Sequence, residues 1–182
     1  MRAAQTGPLH GLKVVELGQL IAGPFAAKTL ADFGADVVKI EPPPKNGQGG
    51  GDPLRGWRLV KDGTSVWWQV QSRNKRSVAL NLNEPSAQDI VRTLASECDV
   101  LIENFRPGTL DRWGLTREAL WAAQARLHSF EFLGVAEPWI RKLWTQTEHD
   151  CVQLRTYPYN LRGAAAFAVD AIVWSRQRLW GR

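Results

Sequence analysis

Residues 12–41 read LKVVELGQLIAGPFAAKTLADFGADVVKIE, and this stretch decides the fold. A short β-branched run opens it, a turn bracketed by Gly18 and Gly23 follows, and residues at helical spacing continue to Gly34. A second apolar run occupies residues 36–41. Two strands joined by one short helix predict parallel pairing with a right-handed crossover. Ligands of such folds bind at the carboxyl ends of the strands, where the Gly18–Gly23 turn and Glu41 are predicted to lie.

The same alternation continues downstream. Ser65 is placed to cap a short helix, residues 77–82 predict a strand, and Asn83 is a candidate cap for the helix that follows. Residues 99–103 predict another strand, and short helices follow from Thr109 and Thr116. This pattern predicts an α/β fold, a Rossmann-like parallel sheet with helices on both faces. From residue 128 onward no alternation is visible, so we expect an irregular, partly helical tail, with residues 161–173 as its helical part.

Composition excludes several classes of protein. The net charge is +5, but the chain shows neither a basic stripe nor a recognition motif, so no nucleic-acid partner is expected. The chain has no apolar run of membrane-spanning length and no apolar secretory core near residue 1, so we expect a cytoplasmic protein without a membrane partner. The histidines show no metal spacing, and Cys98 is interpreted as a buried small hydrophobic residue.

Three stretches are candidate anion or ribose sites, each with a structural alternative. The Gly18–Gly23 turn could seat a phosphate at a helix N-terminus, but its spacing is neither a P-loop nor a dinucleotide fingerprint, which favours a purely structural turn. Glu41 could bind a ribose, although a solvated strand-end carboxylate is the better default. The basic run Arg73, Lys75 and Arg76 could neutralise phosphates or form a solvated loop.

The segment NFRPG at residues 104–108 is the sharper candidate, because it follows a strand and offers an amide, an aromatic ring and a guanidinium. An adenine could stack on Phe105, and a phosphate could pair with Arg106 or Arg112. The alternative is a tight strand-to-helix turn with Phe105 in the core.

Three blocks of sequence carry a resemblance to a known family. They are VVELGQLIAGPFAAKTLADFGADVVKIEPP at 14–43, RNKRSVALNL at 73–82 and DVLIENFRPGTLDRWGL at 99–115. In this order and spacing they resemble the class III CoA-transferases, the carnitine dehydratase/bile-acid-inducible F family. The resemblance runs from Pro8 to Arg126 and covers only the N-terminal portion of that family, so we expect a truncated form of a family member.

The resemblance implies a function and a site. Members move CoA between an acyl-CoA and a carboxylic acid, use no metal, and form interlocked homodimers. A basic or polar residue often follows the second strand in the family, where this chain has Pro42. The implied CoA-binding residues are Ile21, Ala22, Leu80, Asn81, Leu82, Asn83, Asn104, Phe105, Arg106 and Arg112.

The resemblance also implies a catalytic aspartate that attacks the thioester after a glycine-rich segment, and this chain shows no such segment. Asp150 and Asp170 are the aspartates of the tail, and neither is assigned the role, so the catalytic residue stays unknown. We predict a CoA-binding domain at residues 8–127, and our hypothesis for residues 128–182 is a frameshifted or misassembled continuation that departs from the family. The alternatives to a transferase are a non-catalytic CoA-binding module and a non-functional truncated product; an NAD-dependent dehydrogenase lacks its glycine fingerprint.

Overall fold

The computed structural model describes residues 7–46, 49–106, 108–124, 127–133 and 154–155. The strands are β1 (Lys13–Glu16), β2 (Asp36–Glu41), β3 (Val60–Lys61), β4 (Thr64–Ser65), β5 (Lys75–Ala79), β6 (Val100–Glu103), β7 (His128–Leu133) and β8 (Leu154–Arg155). One parallel sheet has the order β5-β2-β1-β6-β7-β8, and β3 and β4 form a separate hairpin. The parallel pairing of β1 with β2 that residues 12–41 predict is confirmed.

Helices cover both faces of the sheet, as the alternation predicts. They are α1 (Ala22–Asp32), α2 (Val66–Gln71), α3 (Pro85–Glu97), α4 (Thr109–Arg112) and α5 (Arg117–Ala123). Successive residues of a strand point to opposite faces. Val14 of β1 accordingly packs in the core cluster that contains the buried residues of α1, whereas Val15 packs in the cluster that contains those of α3 and α5. The strands are therefore apolar on both sides, as buried parallel strands are.

Local signals place most helix ends. The Ser65 hydroxyl accepts the Trp68 N–H at the start of α2, and the Thr116 hydroxyl accepts the Ala119 N–H at the start of α5. Gly34 follows α1 with a φ of 103°, a left-handed conformation that glycine adopts without steric cost. The predicted Ser65 cap, the helix start at Thr116 and the helix end at Gly34 are therefore confirmed.

The strand predicted over residues 77–82 lies earlier in the structure. β5 occupies Lys75–Ala79, and its last partner is Glu41, where β2 ends. Beyond that point no strand continues beside it, so the chain turns, with the Glu84 N–H donated to the Asn81 carbonyl at 2.9 Å. Glu84, rather than Asn83, becomes the residue that precedes α3.

The sheet also continues past residue 127, because β7 pairs in parallel with β6. The alternation of Phe130 and Phe132 with polar residues is the signal that sequence reasoning missed. The helix expected over residues 161–173 and the aspartates at 150 and 170 lie outside the described residues. No helix of the described part is long and apolar enough to cross a membrane.

Two glycines allow the end of β1 to approach the start of α1. A Cβ added to Gly18 would lie 2.9 Å from the Gly23 Cα and 3.1 Å from the Asn104 side-chain oxygen. We expect Gly18→Ala to lower the free energy of unfolding by about 1–3 kcal/mol, the usual cost of overpacking. Urea unfolding followed by circular dichroism measures the change.

Gly56→Ala is the matched control, because a Cβ at Gly56 meets no atom within 4 Å. It should change stability by less than about 0.5 kcal/mol, as surface substitutions usually do. Equal effects of the two substitutions would contradict the packing argument.

Cys98 follows α3 and is 3% exposed, so its interpretation as a buried hydrophobic residue is confirmed. Burial raises the pKa of its thiol to about 12, and the nearby Asp99 carboxylate acts in the same direction. In a Cys151→Ser background, a disulfide reagent at pH 8 should therefore react far faster with the urea-unfolded chain than with the native chain. Native reactivity equal to that of the unfolded chain would contradict this burial.

Candidate functional site

A cleft of about 120 Å³ lies at the carboxyl edge of the sheet, where the ends of β1, β2, β5 and β6 converge. Its walls combine aliphatic side chains, two aromatic rings and several side-chain amides. The lining residues are Leu17, Gln19, Ile40, Glu41, Pro42, Leu80, Asn81, Leu82, Asn83, Phe105 and Trp113.

One wall is fixed by a chain of side-chain contacts. The Trp113 indole N–H donates to the Asn83 Oδ1 at 3.2 Å, and the Asn83 amide group donates to the Asn81 Oδ1 at 3.1 Å. Phe105 meets Trp113 edge to face, with ring centroids 5.3 Å apart. The wall therefore presents an aromatic surface beside amide groups, the combination that suits a flat heterocycle.

Asn104 holds the turn that borders the cleft. Its Oδ1 accepts the Gln19 N–H at 2.7 Å, and its Nδ2 donates to the Gln19 carbonyl at 2.8 Å. The Asn104 side-chain amide thus bonds both the N–H and the carbonyl of Gln19, as a residue on a paired strand does. This contact positions Gln19, whereas Asn104 itself is not among the residues that line the cleft.

Two N–H groups of the Gly18–Gly23 turn are already bonded within the protein. The Gln19 N–H donates to Asn104, and the Leu20 N–H donates to the Asp52 carboxylate at 3.0 and 3.2 Å. The close packing of Gly18 on Gly23 agrees with the structural alternative for this turn.

A buried chain of charges lies beside the turn. The Lys39 ammonium is 2.8 Å from the Glu16 Oε1 and 2.9 Å from the Asp52 Oδ2, and it donates to the Gly18 carbonyl at 2.7 Å. The Lys75 ammonium binds the other Glu16 oxygen at 2.7 Å. The side chains of these four residues are at most 2% exposed. Such charges are tolerated in an interior only when they are paired.

The two lysines respond differently to this environment. Burial acts to lower the pKa of Lys39, but the adjacent Glu16 and Asp52 carboxylates outweigh it and raise the pKa above its ordinary value. Burial lowers the pKa of Lys75 to about 8, although its contact with Glu16 acts in the opposite direction. Lys39 is therefore the lysine whose charge the site stabilises.

Glu41 is buried rather than solvated, so the default interpretation from sequence was wrong. Its carboxylate accepts the Arg55 Nε–H at 2.8 Å, the Asp52 N–H at 2.7 Å and the Ser77 hydroxyl. Burial acts to raise the pKa of Glu41, but Arg55, Ser77 and the Asp52 N–H outweigh it and lower the pKa. Glu41 consequently fastens the loop after β2 to the sheet.

The basic run before β5 pairs with carboxylates instead of lining the cleft. Arg73 binds Asp32 at 3.1 Å, and Arg76 binds Asp36 at 2.6 Å. Lys75 belongs to the buried charge chain. The phosphate-binding hypothesis for this run therefore gains no support from the structure.

The structure brings together half of the residues that the resemblance implies. Leu80, Asn81, Leu82, Asn83 and Phe105 line the cleft; Ile21, Ala22, Asn104, Arg106 and Arg112 do not. Arg106 is exposed, and Arg112 donates to the Thr109 hydroxyl at 3.2 Å.

Sequence reasoning missed several lining residues, namely Leu17, Gln19, Ile40, Pro42 and Trp113. Trp113 lies in the same DVLIENFRPGTLDRWGL block as Phe105, and membership of that block was the one sequence signal that could have identified it. Within the described ranges, no group of three or more His, Cys, Asp or Glu side chains is arranged to hold a metal ion.

Comparison with known proteins identifies the family. Residues 9–129 match the family described as CoA-transferase family III. The chain belongs to this family. The resemblance on the three sequence blocks is thereby confirmed, and the match includes every residue that lines the cleft.

Relatives within family III share sequence over part of their length. The chain is 48% identical over 116 residues to succinyl-CoA–D-citramalate CoA-transferase of Chloroflexus aurantiacus, which covers 63% of this chain and 28% of that protein. It is 42% identical over 112 residues to human succinyl-CoA:glutarate CoA-transferase, covering 61% of this chain and 24% of that protein. A crystal structure of a CaiB/BaiF family protein from Brucella suis superposes with a TM-score of 0.71 at 30% identity, covering 98% of this chain and 52% of that chain. The chain thus spans about half the length of that solved relative.

The buried charge chain predicts an asymmetry between two lysine substitutions. Lys39→Met leaves the Glu16 and Asp52 carboxylates without their shared cation. Removal of one partner from a buried pair costs about 3–5 kcal/mol, so we expect a loss of stability of that size. Chemical denaturation at pH 7 measures it.

Lys13→Met is the control, since Lys13 and Glu97 form an exposed pair at 3.9 Å with side chains 57% and 73% exposed. Exposed pairs contribute about 0–1 kcal/mol, so this variant should melt close to the wild type. A Lys39→Met variant as stable as Lys13→Met would refute a stabilising role for the charge chain.

Proposed function

We propose that this chain binds coenzyme A thioesters in the cleft and supplies the CoA-binding part of an enzyme that transfers CoA between an acyl-CoA and a carboxylic acid. One observation carries the proposal. The cleft is built where the three sequence blocks of family III meet, at the carboxyl edge of a parallel sheet. That edge is where α/β folds bind their ligands.

The chemistry of the cleft suits the adenosine end of CoA. Leu17, Ile40 and Leu82 give an apolar floor, and Phe105 offers a ring on which adenine can stack. We assign the amides of Asn81 and Asn83, which are bonded to each other in the cleft wall, to the edge of the base. Arg106 and Arg112 neighbour the lining residues Phe105 and Trp113 in sequence, and we assign them to the phosphates.

The remaining implied residues enter the proposal through the turn. Ile21 and Ala22 follow the lining residue Gln19, and Ala22 begins α1. We propose that they contact the ligand beyond the cleft, with Asn104 holding the turn in place. Residues 8–127 would then form the CoA-binding domain.

Acyl transfer needs a carboxylate that can attack a thioester. Glu41 is the one carboxylate that lines the cleft in the described part of the chain, and Arg55, Ser77 and the Asp52 N–H already hold it. A carboxylate stabilised in this way is a weak nucleophile. This observation favours a second candidate, a module that binds CoA without chemistry, unless the reacting carboxylate comes from outside the described residues.

The names of the relatives suggest the first substrates to test. Both relatives described above are named for succinyl-CoA as donor, so we propose succinyl-CoA with a dicarboxylic acid as acceptor. We further propose a cytoplasmic homodimer whose subunits interlock, as the resemblance implies. Exposed apolar side chains at Leu59, Val66, Val70 and Val78 support an assembled state, because burial of such side chains stabilises association.

Calorimetric titration of the full chain with CoA tests the binding proposal. We expect saturable one-to-one binding, and we expect Phe105→Ala to weaken it about tenfold, since stacking of one base on an aromatic ring contributes about 1–3 kcal/mol. Phe33→Ala is the matched control, because Phe33 is 45% exposed and lies outside the cleft lining. Failure to bind CoA at millimolar concentration, or equal binding of NAD, would contradict the proposal.

Chromatographic detection of a new thioester, after incubation with succinyl-CoA and glutarate or D-citramalate, separates the two candidate functions. Turnover establishes the transferase. Binding without turnover supports the CoA-binding module.

A further inference from the structure

We propose that Asp52 is a positioning residue that holds the turn at residues 18–22 in a strained conformation, and that this conformation shapes the ligand cleft. The inference rests on the proposed binding of CoA, but its structural part can be tested without that ligand. No sequence motif pointed to Asp52, which follows a glycine-rich loop 32 residues after Leu20.

The strain lies at Leu20. Its φ is 61°, in the left-handed region that residues with a Cβ rarely adopt. Leu20 is 40% exposed, so burial of its side chain offers little compensation. A strained residue of this kind persists only where surrounding contacts impose the conformation.

Asp52 supplies that contact. Its carboxylate oxygens accept the Leu20 N–H at 3.0 and 3.2 Å, and one of them accepts the Leu54 N–H at 2.9 Å. The other oxygen binds the Lys39 ammonium at 2.9 Å. Asp52 is 1% exposed, and its own N–H donates to Glu41. Lys39 and Glu41 of β2 therefore hold Asp52 in place, and Asp52 in turn holds Leu20.

The held turn contributes directly to the cleft. Gln19, the neighbour of Leu20, lines the cleft and is gripped on its own N–H and carbonyl by Asn104. Asn104 fixes Gln19, and Asp52 fixes the strained residue that follows it. Without Asp52, Leu20 would relax toward an ordinary φ and shift Gln19 and the start of α1.

A double-mutant cycle tests this role, because glycine adopts a positive φ without the cost that leucine meets. We expect Asp52→Ala to weaken CoA binding about tenfold or more, the effect of losing hydrogen bonds to a charged group. In a Leu20→Gly background the same Asp52→Ala change should weaken binding by a factor about fivefold smaller than in the wild type, because the contacts with Lys39 and Leu54 are lost in both backgrounds and only the strain at Leu20 is absent. Calorimetry of the four proteins gives both ratios.

Asp62→Gly is the matched control background. Asp62 also has a positive φ, 50°, but it lies in the β3–β4 hairpin. There, Asp52→Ala should cost as much as it does in the wild type. Equal costs in the Leu20→Gly and wild-type backgrounds, or unchanged binding by Asp52→Ala, would overturn the inference.

Amide hydrogen exchange gives a readout that needs no ligand. Asp52→Ala should accelerate exchange of the Leu20 N–H more than that of the Asp36 N–H, which bonds to the Leu12 carbonyl at 2.8 Å. If Asp52→Ala fails to fold, Asp52→Asn keeps one acceptor oxygen and should preserve protection of Leu20. Equal acceleration at both amides, or loss of Leu20 protection in Asp52→Asn, overturns the inference, whereas absence of CoA binding by the wild type refutes only the proposed function.

Discussion

The contact of one lysine with two carboxylates is the constraint on which the carboxyl edge of the sheet depends. Lys39 stands opposite Glu16 in the register of β1 and β2, so the sheet itself brings this pair together. Glu16 alone cannot neutralise the charges of both Lys39 and Lys75. The loop after β2 therefore brings a second carboxylate, that of Asp52, into the interior. Because an unpaired buried charge is costly, the sheet edge and the loop fold as one unit.

The same unit brings three backbone segments close together, namely the loop after β2, the turn after β1 and the end of β6. The loop that carries Asp52 meets the turn after β1 at Leu20, and the contact of Gly18 with Gly23 brings the same turn onto α1. Asn104 joins the turn to the end of β6. Three separate segments are therefore fixed against each other by Asp52 and Asn104, whose side chains are not among those that line the cleft.

Sequence patterns predicted the elements better than their pairings. The strand-helix-strand unit of residues 12–41, the Ser65 cap and the helix start at Thr116 are local signals, and the structure has them. β7 was missed because its six residues include only two phenylalanines, which give a weak apolar alternation beside an irregular flanking sequence. The roles of Glu41 and Lys75 were not readable, since their partners Arg55 and Glu16 lie 14 and 59 residues away and no local period links them.

The same pairing limits what this part of the chain can do chemically. Glu16, Glu41 and Asp52 are buried carboxylates, and cations or N–H donors hold each of them. A carboxylate cannot both neutralise a buried lysine and attack a thioester, because the attack would remove the charge that the lysine requires. Structure and chemistry therefore need different carboxylates. Under the proposed function the cleft would bind the ligand and the reacting carboxylate would be a different one, because the one carboxylate among the described residues that line the cleft, Glu41, is already held by Arg55, Ser77 and the Asp52 N–H.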